Sequence, residues 1–327
     1  MPPAEHQQPG RGQEPPQQDV RLSVVIPCYR DADNVDRIFE RIASLFDQLD
    51  GVCELVLVDD GSPDGTAGEI LGRMPDFRHP VTFVRLARNF GQHPAVFAGM
   101  EQSRGAVVVT MDSDLQYPPE EVPKLLAELS DEWPVVSGQR AARKDPIARK
   151  LITRALGWWL TRRTGSTLRD VGSMFRAYDR SVVDQLLQFR EQRRFLPGLV
   201  AWLGVPVREI PVRHEPRGAS GSRYRLGPLI DMVLDLVTGY SIAPLRVLSV
   251  LACLGSLAGF AATMTFLAYR VLVGAGVSGT VSAFALVFLL LAIQLAITAL
   301  LSEYAGRTYN EVKHRPYFIV GAVERNW

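Results

Sequence analysis

"CELVLVDDGSPDGTAGEILGRM", residues 53–74, runs through three kinds of segment in one short span. Cys53–Val58 is a compact β-branched run, Asp59–Thr66 is rich in Asp, Gly and Pro, and Thr66–Met74 has helical character. A strand that is apolar nearly throughout has both faces covered, as in parallel sheets packed between helices. The loop that follows has the residues of a turn. The same unit recurs on either side. Further strands are expected at Leu22–Ile26, Val81–Leu86, Ala106–Met111 and Val135–Gly138, with helices over Asn34–Leu49, His93–Gln102 and Pro119–Leu129. Strands alternating with helices imply an α/β domain, Rossmann-like, with a mainly parallel sheet.

Sheets of this class bind ligands beyond the carboxyl ends of their strands. Four consecutive strand exits carry polar chemistry: Pro27-Cys28-Tyr29, then Asp59–Thr66, then Arg88-Asn89-Phe90-Gly91-Gln92, then Asp112 and Asp114. No G-x-G-x-x-G follows the first strand and no G-x-x-x-x-G-K-[ST] occurs, so the dinucleotide and P-loop readings lose their main support. Asp112 and Asp114 stand two apart at the end of an apolar run, and on a strand two such side chains share a face. Their oxygens suit one hard divalent cation that keeps open positions for phosphate oxygens. The alternative is that they cap the helix opening near Pro118-Pro119.

The 327-residue chain is 47% hydrophobic with a formal net charge of +1, which gives no general reason to expect a nucleic-acid partner. Residues 1–20 hold five Pro and five Gln without an apolar run and read as a disordered tail with no secretory h-region. Cys28, Cys53 and Cys253 are scattered, which suits reduced core thiols. Nine basic residues against one acid lie between Gln139 and Arg169. Farther on, Val247–Tyr269 and Val271–Ser302 are two uncharged runs of 23 and 32 residues, separated by Arg270. A bilayer core takes about 20 apolar residues per helix, so two spans are expected, roughly 247–269 and 280–301. Buried helices in a soluble domain are the rival reading. Arg223, Arg225 and Arg246 before the first span, and Arg307, Lys313 and Arg315 after the second, place both ends in the cytoplasm. The resulting division is a tail (1–20), a catalytic α/β domain (21–225), an amphipathic juxtamembrane helix (226–243), a transmembrane hairpin (244–303) and a cytoplasmic C-terminal segment (304–327).

Four stretches, "VVIPCYRDADNV", "LVLVDDGSPDGT", "RLARNFGQHPAVFAGM" and "TMDSDLQYPPEEVPKLL", resemble the successive motifs of the family 2 glycosyltransferases with the GT-A fold. Within that group the chain is similar to the polyprenyl-phosphate glycosyltransferases, and nearest to the undecaprenyl-phosphate 4-deoxy-4-formamido-arabinose transferases. The likeness continues through "VVSGQRAARKD", "TGSTLRDVGSMFRAYDRSVVD" and "EPRGASGSRYRLGPLIDMVLDLVTGY", so it covers nearly everything after residue 20. It implies a nucleotide-sugar donor, most simply a UDP-sugar, a polyprenyl-phosphate acceptor, Mg²⁺ or Mn²⁺, and a homo-oligomer, a tetramer in relatives. It implies that Pro27, Tyr29, Asp59 and Asp60 surround the base and ribose, with Asp60 reading uracil, and that Arg88 and Gln92 add donor contacts. Asp112, Ser113 and Asp114 would hold the ribose and, through the metal, the diphosphate. Asp170 matches the carboxylate regarded as catalytic in relatives, with Asp114 beside it in that role. The family often shows Y-N-E after the first strand. Here the residues are Tyr29-Arg30-Asp31, with Asp31 standing in for the acid.

A lipid phosphate explains the basic window, because a phosphomonoester carries about 1.5 to 2 negative charges at neutral pH. Arg140, Arg143, Arg149 and Arg154 are its candidate ligands, since guanidinium forks match phosphate geometry. Trp158 and Trp159 in the same window suit a helix at headgroup level, and plain headgroup attraction is the rival for each arginine. Leu226–Tyr240 places Leu226, Leu229, Ile230, Val233, Leu236 and Val237 on one helical face. Before it, Arg217, Ser222, Arg223 and Tyr224 lie in a Gly-rich loop suited to closing over a diphosphate, or serving as an inert linker. His214 reads as structural. The rival functions are a processive synthase, which lacks its Q-x-x-R-W here, a GDP-mannose enzyme, and a silent membrane scaffold.

Overall fold

Val24, Ile26, Leu55 and Leu57, the alternate residues of two of those runs, lie fully buried in one continuous core. The computed structural model describes residues 19–140, 173–191, 194–215, 279–313 and 315–327, with single positions between 250 and 268. Its centre is β1 (Val20–Cys28), which pairs in parallel with β2 (Val52–Asp59) on one side and β4 (Val107–Thr110) on the other. β3 (Val81–Leu86) extends the parallel set beyond β2. α1 (Val35–Phe46) turns Ile38, Phe39, Ile42 and Phe46 onto the sheet, and α2 (Thr66–Arg73) adds Ile70. α3 (Gln92–Gln102), buried from Pro94 to Met100, covers the strands from the opposite face. The mainly parallel α/β sheet expected from periodicity is the one observed.

α4 (Val122–Ala127) leads to β5 (Val135–Arg140), and β6 (Arg176–Asp179) runs antiparallel between β4 and β5. α5 (Arg180–Leu187) opens on Asp179, whose carboxylate accepts the Ser181 N–H at 2.9 Å. That is an ordinary N-cap. α6 (Leu196–Leu203) ends at Gly204, and β7 (Val207–Val212) joins the edge in parallel with β5.

The last strand comes from the far end of the chain. β8 (Val320–Arg325) pairs antiparallel with β3, giving the order β7-β5-β6-β4-β1-β2-β3-β8. Asn326 then fastens it: its Oδ1 accepts the Val81 N–H at 2.7 Å, and its Nδ2 lies 3.1 Å from the Met74 carbonyl and 3.2 Å from that of His79. The sequence reading sets 304–327 apart as one segment. In the structure Phe318–Trp327 belongs to the compact unit of the sheet.

Glu191–Arg193 and Ser222–Tyr317 make a second unit. Its longest element is α7 (Gly279–Val312), 34 residues. The described positions between 254 and 268 are helical too. Gly259 is where this segment approaches α7 closely, since a Cβ there would lie 2.9 Å from Leu290 Cδ2. Phe284, Val287, Leu291 and Leu295 of α7 are exposed. Among the described residues alone no helix is long and apolar enough to cross a membrane, and many side chains of α7 fall outside them.

Candidate active site

β1 lies where the connections part. The chain leaves it through α1 towards β2 and β3, then returns through α3 to β4 on its other side. Such a switch point opens a crevice beyond the carboxyl ends of the strands. Thr110, the last residue of β4, is level with Val25, so the segment after β4 lies alongside the exit of β1. Sequence-distant loops are thereby made neighbours.

At the exit of β1, Pro27 is buried, Tyr29 is exposed, and Arg30 sits at φ 58° with its guanidinium 5.3 Å from the Tyr29 ring centroid. Asp31 accepts the Tyr29 N–H on Oδ2 at 2.9 Å and the Asn34 amide on Oδ1 at 3.2 Å. Oδ2 also accepts the Ser113 hydroxyl at 2.7 Å, joining the exits of β1 and β4. The next loop is held by the backbone. Arg30 N–H donates to Ser62 Oγ and Asp31 N–H to Thr66 Oγ1, both at 3.0 Å. Ser62 and Thr66 were not among the residues singled out from the sequence. Their turn-forming context, S-P-D-G-T, is the signal that marks them.

Asp59 is fully buried; its Oδ1 accepts the Ser62 N–H at 3.0 Å, and Arg85 Nε stands 3.6 Å from Oδ2. Asp60 is buried beside it. Its oxygens accept the backbone N–H groups of Phe90 at 2.7 Å and Gly91 at 2.8 Å, so it braces the exit of β3. Burial pushes the Asp60 carboxyl above its ordinary range, with nearby Asp59 adding to that, against the two N–H bonds and Arg88. Gly61 makes this packing possible: it has φ 63°, and a Cβ would fall 2.4 Å from the Arg88 carbonyl carbon. Arg88 is exposed, stacked 4.0 Å from the Phe90 ring centroid. Cys28 and Cys53 are buried free thiols, and burial followed by Asp31 and Asp59 pushes Cys28 up, which makes it unreactive.

Asp112 and Asp114 are partly exposed beyond the end of β4. The expectation that strand alternation sets them on one face is corrected here: β4 stops at Thr110, and the pair lies in a turn closed by Leu115 N–H on Asp112 O at 3.2 Å. Gln92 Nε2 donates to Asp112 Oδ1 at 2.5 Å, and Asp114 Oδ1 accepts the Gln116 N–H at 3.1 Å. Neither acid caps the turn at Pro119–Glu121 or α4, which begin without a side-chain cap. Among the described residues no three His, Cys, Asp or Glu side chains group as a metal site. Two hard carboxylates in an accessible turn fit a cation that takes its remaining ligands from substrate and water.

His214 follows β7 with its ring T-shaped against Tyr117, centroids 5.2 Å apart, and Tyr117 stacks on Phe175. Glu215 N–H donates to Gln116 O at 2.8 Å, which ties this segment to the acidic turn. Asp170, Arg143, Arg149, Arg154, Trp158, Trp159, Arg217, Ser222, Arg223 and Tyr224 lie outside the described residues, as do the Arg140 side chain and the segment 226–243.

The family described as glycosyl transferase family 2 matches residues 23–187. An undecaprenyl-phosphate 4-deoxy-4-formamido-L-arabinose transferase of Photorhabdus laumondii subsp. laumondii is 37% identical over 309 residues, 94% of this chain and 95% of the relative. One from Edwardsiella ictaluri is 38% identical over 311 residues, 93% and 95% of the two chains. Among solved structures, glucosyl-3-phosphoglycerate synthase from Mycobacterium tuberculosis with Mg²⁺ and uridine diphosphate aligns at TM-score 0.50 and 20% identity, over 66% of this chain and 76% of that one. Mannosyl-3-phosphoglycerate synthase from Rubrobacter xylanophilus aligns at TM-score 0.50 and 17% identity, over 67% and 72%. At such identities the likeness speaks for the fold alone.

Proposed function

The chain belongs to glycosyl transferase family 2, and from that premise we propose that it moves a sugar from a UDP-sugar to undecaprenyl or a similar polyprenyl phosphate at the cytoplasmic membrane face. The observation that carries this reading is the convergence of Asp31, Gln92, Asp112, Ser113 and Asp114 at the switch point between β1 and β4. Near-full-length likeness to undecaprenyl-phosphate transferases supports the lipid acceptor. The two carboxylates in the accessible turn after β4 make a UDP-sugar with a divalent cation the first combination to test.

In this reading Pro27, Tyr29, Asp59 and Asp60 line the base and ribose. Asp60, whose oxygens already accept two backbone N–H groups, shapes the pocket and keeps lone pairs for one further donor. Arg88 and Gln92 border the donor. Asp112 and Asp114 hold Mg²⁺ or Mn²⁺, which when bound offsets the charge that gathers on the departing diphosphate. The acceptor is already an anion and needs little proton removal, so Asp170 orients groups at the reacting centre. Attack by the lipid phosphate opposite the leaving group inverts the anomeric carbon. Arg140, Arg143, Arg149 and Arg154 hold that phosphate, and Arg217, Ser222, Arg223 and Tyr224 close over the diphosphate. The two uncharged runs form a transmembrane hairpin, and the assembly is a homo-oligomer, a tetramer on the family pattern.

The test incubates purified protein with radiolabelled undecaprenyl phosphate and a panel of UDP- and GDP-sugars, with the lipid product identified by mass. Asp112→Ala and Asp114→Ala should each lower turnover by a factor of about 100 or more. Full activity in both variants removes the metal role, and transfer from GDP-mannose alone replaces the donor.

A further inference from the structure

We propose that Asp31 is a positioning residue whose carboxylate holds the Asp112–Asp114 turn through the Ser113 hydroxyl. The inference rests on the reading of that turn as the metal and diphosphate site. It moves Asp31 from the surface that meets the donor to the frame that shapes it.

The hydrogen bonds carry the argument. Oδ2 of Asp31 takes both the Tyr29 N–H at 2.9 Å and the Ser113 hydroxyl at 2.7 Å, while Oδ1 takes the Asn34 amide at 3.2 Å. Three donors already occupy this carboxylate. The backbone around it is fixed as well, by Arg30 N–H on Ser62 Oγ and Asp31 N–H on Thr66 Oγ1, each 3.0 Å. Arg30 lies at φ 58°, a left-handed conformation unfavourable for a non-glycine residue that persists where the surroundings enforce it. Here the neighbouring bonds enforce it, and they aim Asp31 across the switch point.

Ser113 is the residue between the two acids. A turn of three partly exposed polar residues has many arrangements in water, and two carboxylates of like charge repel one another in most of them. Pinning the central hydroxyl removes that freedom from the middle. Gln92 Nε2 holds Asp112 from the exit of β3, and the Gln116 N–H holds Asp114 from within the turn. Asp31 thereby sets the separation and direction of the pair without contributing an atom to what they bind. Outer-shell partners of this kind typically account for about 10- to 100-fold in metal affinity or activity.

Ser113→Ala, Asp31→Asn and the double variant test this in the full-length protein in detergent. Ser113→Ala deletes one hydroxyl and leaves the bonds of Asp31 to Tyr29, Asn34 and Thr66 in place. Two readings are taken: amide hydrogen exchange in the peptide covering 111–117, and the Mn²⁺ concentration that half-saturates UDP binding by calorimetry. Each single variant should speed exchange in that peptide and raise the Mn²⁺ requirement about tenfold. The double variant should add less than about twofold, because both changes break one link. Ser113→Thr, which keeps the hydroxyl, should restore both readings, and polyprenyl-phosphate KM should stay unchanged throughout. Wild-type exchange in Ser113→Ala, or fully additive effects in the double variant, overturns the proposal. If wild-type protein binds UDP with no metal dependence, the function proposed above fails, while the exchange measurement still decides whether Asp31 braces the turn.

Discussion

His93 shows how a single side chain can carry a pH dependence that its sequence neighbourhood hides. It follows Gln92 at the start of α3, its ring T-shaped against Phe195 with the centroids 5.0 Å apart and its Nδ1 buried without a hydrogen-bond partner among the described residues. Burial, and after it the cationic Arg176, lowers its pKa from the ordinary 6.5 to about 4. Arg176 is itself fully buried in β6, with Nε on Ser137 Oγ at 3.1 Å. A histidine depressed in the folded state binds its proton more readily when the chain unfolds. The stability it leaves intact above pH 6.5 is therefore lost as pH falls from 6.5 towards 4, by up to about 3 kcal/mol. Thermal midpoints in detergent should fall between pH 6.5 and 4.5 in wild type and fall less in His93→Gln. Equal slopes in the two proteins would show that His93 titrates as if exposed. The place of Asp112 and Asp114 just beyond β4 was legible in the sequence because a chemical type at a strand exit is a local feature. The Asp31 link to Ser113 spans 82 residues, so only the fold discloses it.

Elements were legible in proportion to how local their reasons are. β1 to β5 and the helices between them follow from apolar runs that need both faces covered. β6 has four residues, among them Arg176 and Asp179, and no run of that length and polarity announces itself. β8 is harder again, because an edge strand with exposed Val320 and Val323 has little hydrophobic signature and its partner β3 lies more than 200 residues earlier. Its attachment can be tested at one residue. Asn326→Ala leaves the Val81 N–H, in a fully buried residue, without its 2.7 Å acceptor and removes the amide that meets the Met74 and His79 carbonyls. An unsatisfied buried donor costs about 1–3 kcal/mol, so the variant should melt measurably earlier. The loss should follow the sheet unit, read as faster exchange in peptides from β3. An unchanged melting profile would mean that the last residues are an idle tail.

At the scale of the whole molecule, a charge total near zero conceals a division between a sheet unit with an ordinary buried core and a helical unit with apolar residues turned outwards. α7, at about 1.5 Å per residue, extends about 50 Å, more than the roughly 30 Å of a hydrocarbon core. Leu290 and Ile293 meet Gly259 and Gly255 of the preceding helical segment, while Phe284, Val287, Leu291 and Leu295 are exposed on other sides. A helix apolar on its packed and its open faces alike needs a second apolar environment. Close approach at glycine is also how helices associate where lipid removes the hydrophobic drive between them. The uncharged runs 247–269 and 271–302 supply the length for two crossings. The proposed hairpin would stay with the bilayer when surface charge is screened or titrated, whereas a protein bound through its arginines is released. Membranes containing the expressed chain should therefore retain it in the pellet after washing with 1 M salt (Debye length about 3 Å) and then with alkaline carbonate, and yield it to detergent. Replacing Leu290 and Leu291 with Arg should shift a substantial share into the carbonate supernatant, since each charge near the centre of a span costs about 2.5–3.5 kcal/mol. Release of the unaltered protein by salt alone would reduce the attachment to headgroup electrostatics and remove the hairpin.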